Sequence, residues 1–78
     1  MLEARDYHFL SKFSKAEQRR LLVHLIFGGY AAAGRELGRH RVTILQVATL
    51  KRKAQPTEDL LAARVARYGK EFAEMWAA

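Results

Sequence analysis

Cysteine is absent from this 78-residue chain, and proline occurs once. Without cysteine there is no disulfide and no thiolate metal site, so packing alone must hold a small fold together. No apolar run approaches the roughly 20 residues that cross a bilayer. The longest, LLVHLIF at 21–27, is interrupted by His24. The opening MLEARDYHF carries acids and lacks the basic-then-apolar layout of a signal peptide. The expectation is a cytoplasmic protein with no membrane partner. Strand signals are scarce as well: clean apolar–polar alternation is missing, and so are Asn-Gly and Asp-Gly hairpin turns.

Catalytic and metal-binding patterns are equally thin. His8, His24 and His40 stand 16 residues apart, without the H-x-x-x-H spacing that brings two imidazoles to one metal. The serines and threonines lack a convincing His-Asp arrangement. GGYAAAG at 28–34 is glycine-rich, but no Gly-Lys-Ser/Thr follows to make it a phosphate loop. These absences argue against an enzyme and against any metal or cofactor.

What is present is hydrophobic content, at 50% of residues, and a net charge of +6. That much apolar material excludes a disordered chain. The length allows one domain, residues 1–78. A domain this small buries only roughly 60% of the surface its unfolded chain exposes, so a second copy of itself would be a natural source of further burial. The charge is concentrated. Residues 35–53 hold Arg35, Arg39, Arg41, Lys51, Arg52 and Lys53 against Glu36 alone, whereas the remainder holds eight basic and seven acidic residues. A localised basic region suggests a polyanionic partner.

The apolar spacing predicts an all-α fold of four or five short helices with a longer helix at the C-terminal end. Residues 3–13 form a first helix. SKAE at 14–17 reads as a capping box, with Ser14 capping the next helix and Glu17 reaching back to the Ser14 amide. That helix carries Leu21, Leu22, Leu25 and Ile26 and stops at Gly28-Gly29. A short helix follows from Tyr30 to Leu37 and ends at Gly38. Another starts near Arg41 and lasts to about Lys53, placing Lys51, Arg52 and Lys53 in its last turn, where the helix dipole favours positive charge. Pro56 breaks the chain, and Thr57 caps the last helix, at about 57–77. Leu61, Val65, Tyr68, Phe72, Met75 and the adjacent Trp76 form a stripe along it. The stripe is either core or the seam of a homodimer or partner complex.

Two helices joined by a short turn containing Gly outline a helix-turn-helix, here at about 30–53. Its second helix would enter the major groove of DNA. The residues AGRELGRHRVTI at 33–44 resemble the Fis-type helix-turn-helix (factor for inversion stimulation), shared with the C-terminal domains of NtrC-like activators. That family's pattern runs Ala-Ala, two residues, apolar-Gly, two residues, Arg, any residue, Thr, Leu. Ala33-Gly34 stands in place of the two alanines, Leu37-Gly38, Arg41 and Thr43 match, and Ile44 replaces Leu. The resemblance spans about residues 29–53. The chain departs from the family in three ways. The family's recognition helix is basic through its middle, where this chain has Leu45, Gln46 and Val47. The family usually has Leu at the place of Ala48. Its domain ends just after that helix, whereas this chain runs on to residue 78.

The resemblance implies double-stranded DNA binding by a small transcriptional regulator or architectural factor, with His40, Arg41, Thr43 and Gln46 at or near the bases. Arg41 could hold guanine, Gln46 adenine, and Val42 or Leu45 a thymine methyl. Arg35, Arg39, Lys51, Arg52 and Lys53 would hold phosphates. The small size fits a protein encoded by a phage or mobile element. The alternative is a small helical inhibitor or adaptor that binds another protein, such as a host protein, through the aromatic stripe. The apolar residues nearly all round helix 42–53 suit that reading.

Overall fold

The computed structural model describes residues 3–77. Among them there is no strand. A 3-10 segment, Ala4–Lys12, precedes α1 (Lys15–Phe27), α2 (Tyr30–Leu37), α3 (Arg41–Ala48), α4 (Gln55–Ala66) and α5 (Lys70–Trp76). The described residues are all-helical, with six helical elements where the spacing predicts four or five.

Local chemistry sets most of the boundaries. The Glu17 amide donates to Ser14 Oγ at 3.3 Å, opening α1. The expected reciprocal half of the capping box does not form, because the Glu17 carboxylate turns to Arg20 at 2.8 Å. The Arg20 hydrogen bond holds that carboxyl below its ordinary value.

The third α-helix is shorter than the expected run to Lys53. Thr49 ends it, Leu50 takes the left-handed conformation at φ 65°, and the Leu50 and Lys51 amides turn back to the Val47 and Gln46 carbonyls. This is a Schellman closure with leucine where glycine is usual. At this end the Arg19 side chain donates to the Val47 and Ala48 carbonyls, two of the acceptors that a helix end leaves open. Lys51, Arg52 and Lys53 therefore lie beyond the helix, in the connection to α4.

The long C-terminal helix is also corrected. It begins at Gln55, with Pro56 in its first turn, where no amide hydrogen is needed. Thr57 is not its cap; it is buried inside the first turn and accepts a hydrogen bond from Arg39 Nε. The helix then breaks at Gly69, whose φ of 126° is closed to ordinary side chains, and α5 starts afresh. The break lets α5 fold back on α4 and α1. Of the two roles left open for the stripe, Leu61, Val65, Phe72 and Trp76 take the core, each at most 2% exposed. Met75 is half-buried, and Tyr68 is on the surface.

The core gathers those four with Leu10, Leu22, Val23, Phe27, Ala33, Ile44, Val47 and Ala48. At its centre Arg19 of α1 is 2% exposed. Its Nε donates to the Ala48 carbonyl at 2.8 Å, Nη1 to the Trp76 carbonyl at 3.3 Å and Nη2 to the Val47 carbonyl at 3.2 Å. The same guanidinium pairs with Glu58 and lies 4.1 Å from the centre of the Trp76 ring. Trp76 Nε1 donates to the other Glu58 oxygen at 2.8 Å. One side chain thus closes the C-terminal ends of α3 and α5 and ties both to α4, with every partner an acceptor suited to a buried cation.

Candidate nucleic-acid interface

The corner between α2 and α3 depends on a missing side chain. A Cβ on Gly34 would lie 2.4 Å from the Arg39 carbonyl oxygen and 3.3 Å from the Arg41 nitrogen. Glycine is therefore the residue that permits this approach of turn to helix. Gly38 follows in the left-handed region at φ 66°, and the Gly38 and Arg39 amides both donate to the Gly34 carbonyl. The chain then extends through His40, whose Nδ1 accepts from the Val42 amide at 3.1 Å and caps α3. Ala33, Ile44, Val47 and Ala48 hold the two helices to the core.

This geometry sorts the residues expected to meet DNA. Arg41, Val42 and Leu45 are exposed on the outer side of α3, while Thr43 and Gln46 are half-buried at its flanks. His40 is exposed, but its Nδ1 is committed to the cap, which leaves Nε2 as the free ring nitrogen. Arg35, Arg39, His40 and Arg41 line one shallow depression across the corner with Gly34 and Gly38. Arg39 is partly engaged there, Nε with Thr57 Oγ1 and Nη1 with the Gly38 carbonyl, both at 3.2 Å. At the other end of α3, Arg52 and Lys53 border a cleft floored by Val47 and Glu58.

Ion pairing sharpens the field. Arg5, Arg19, Arg20 and Arg64 are each paired with a carboxylate. Among the described residues, Arg35, Arg41, Lys51, Arg52 and Lys53 have no such partner. Glu36, the single acid of the 35–53 stretch, pairs with Arg64 of α4. The corner's one negative charge is thus offset from outside, and its cations, Arg39 aside, stay unpaired among the described residues. They bracket an eight-residue helix that spans about 12 Å.

Two features escaped the reading of the sequence. Arg19 counts toward the net charge yet is interior. Its signal was its place on the stripe that continues through Leu22, Val23 and Phe27. The pairing of Glu36 with Arg64 spans 28 positions and has no local signature. Among the described residues, no three His, Cys, Asp or Glu side chains gather as a metal site. No helix among them is long and apolar enough to cross a membrane. Comparison with protein families, curated proteins and solved structures finds no match to this chain.

Proposed function

We propose that this protein binds double-stranded DNA through α3, braced by α2, as a small transcriptional regulator or architectural factor. The observation that carries the reading is the set of unpaired cations at both ends of an outward-facing helix, in a region whose lone acid is already neutralised. A helix presented in this way fits a major groove, with phosphates along both rims. Arg41, at the helix start, is placed to meet a base edge, and guanine offers two acceptors to its fork. Arg35, Arg39, Lys51, Arg52 and Lys53 then hold the backbone and supply affinity that salt weakens. The competing inhibitor or adaptor reading needs the aromatic stripe outside, and four of its six members are inside.

The test is a titration of mixed-sequence duplex at low salt, repeated as salt is raised. Binding should fall steeply with salt, and Arg41→Ala should weaken specific binding by about 1–3 kcal/mol. Absence of duplex binding at low salt contradicts the proposal.

A further inference from the structure

Resting on the DNA-binding reading, we infer that Val42 and Leu45 make this helix select thymine through its 5-methyl group. Six large apolar side chains are exposed among the described residues: Phe9, Phe13, Val42, Leu45, Leu50 and Tyr68. Three of them lie on α3 or its exit. Val42 and Leu45 are 43% and 36% exposed. Three positions apart, they sit one above the other on the outer side of the helix. Ile44, Val47 and Ala48, on the opposite side, already supply its anchorage to the core. The outer pair is therefore not needed to hold α3 in place.

The surroundings of the pair define its partner. Arg41 adjoins it at the start of the helix, and Lys51, Arg52 and Lys53 follow the end, all exposed. An apolar centre between cationic ends calls for a ligand with anionic rims and an apolar group between them. The major groove has that layout: phosphates flank it, and thymine places the one methyl group among the base edges. Neither Val nor Leu can hydrogen-bond a base, so their discrimination comes from covering that methyl. The uncharged middle of α3, where the Fis-type pattern is basic, becomes a source of base selection.

The experiment compares an alternating A·T duplex with its deoxyuridine counterpart, which differs by the absent 5-methyl groups. The wild-type chain should bind the thymine duplex more tightly, by about fourfold for each methyl covered. Val42→Ala and Leu45→Ala should each lower affinity for the thymine duplex and shrink the ratio, with little change for the uridine duplex. Both side chains are on the surface, and an unchanged helical circular dichroism spectrum verifies that the variants are folded. Equal wild-type affinity for the two duplexes overturns this inference while leaving DNA binding intact. Failure to bind either duplex at low salt overturns it together with the reading on which it rests.

Discussion

Arg19 and Arg41 are the same residue type put to opposite uses. Arg19 is enclosed by three carbonyls, Glu58 and the Trp76 ring. Arg41 stands at the exposed start of α3, with no carboxylate of the described residues paired to it. The first joins α1, α3, α4 and α5; the second is free to meet a ligand. Net charge cannot distinguish them, because each adds one. Partners distinguish them: a cation whose three nitrogens are all engaged is structural, whereas one left open on a basic rim is available for binding.

Exchanging those roles gives the largest expected effect. Arg19→Met should destabilise the fold by about 3–5 kcal/mol, because it strands Glu58 and the carbonyls at two helix ends. That is enough to unfold much of the population of a domain this small. Arg41→Ala should leave stability within about 0.5 kcal/mol and alter binding alone. Urea denaturation followed by circular dichroism measures both, and comparable losses from the two variants would erase the distinction.

The corner itself comes next. Gly34→Ala places a methyl against the Arg39 carbonyl and should cost about 1–3 kcal/mol as backbone shifts to relieve the overlap. Duplex affinity should fall with it, because α3 is held by that approach. Thermal melting and titration of the same variant test the pair of effects. At the other end of α3, Leu50 occupies the left-handed region and is 49% exposed. Leu50→Gly should relieve that strain and stabilise by about 1 kcal/mol, the gain being reduced by glycine's greater freedom when unfolded. A lower urea midpoint for this variant would count against a strained closure.

The smallest effect concerns Tyr30, whose buried hydroxyl has no hydrogen-bond partner among the described residues. Burial lifts this phenol above its ordinary value. The folded state therefore keeps its proton at pH values where the unfolded state loses it. Stability from this group is complete below the ordinary phenol range and declines as pH rises through the folded value. Tyr30→Phe should flatten that alkaline decline and stabilise by up to about 1 kcal/mol near neutrality. Stability profiles taken from neutral to alkaline pH check both points.

Much of the fold was legible because its punctuation is local. Ser14, the Gly28-Gly29 pair and Gly38 mark helix ends by their own conformational chemistry, and the structure puts the boundaries of α1 and α2 there. The end of α3 was not legible, because no glycine marks it: Leu50 takes the left-handed turn, and the Arg19 that reaches its last carbonyls lies 28 and 29 positions away. The division of the last helix could be suspected from Gly69. Its apolar stripe nevertheless runs across the break, because Leu61, Val65, Phe72 and Trp76 fill one core from two helices. At the candidate site, the cluster of positive charge was visible in the composition. Which charges remain uncommitted was not, since Glu36 is paired from α4 and Arg39 is partly tied to Thr57.

The central claim is that the α2–α3 corner, and not the stripe of the last two helices, meets the ligand. The most direct test is an NMR titration of the isotope-labelled chain with mixed-sequence duplex DNA at low salt. The account predicts chemical-shift changes centred on residues 39–46, with a second group at 51–53. Changes centred on residues 61–76, or no changes at all, would contradict it.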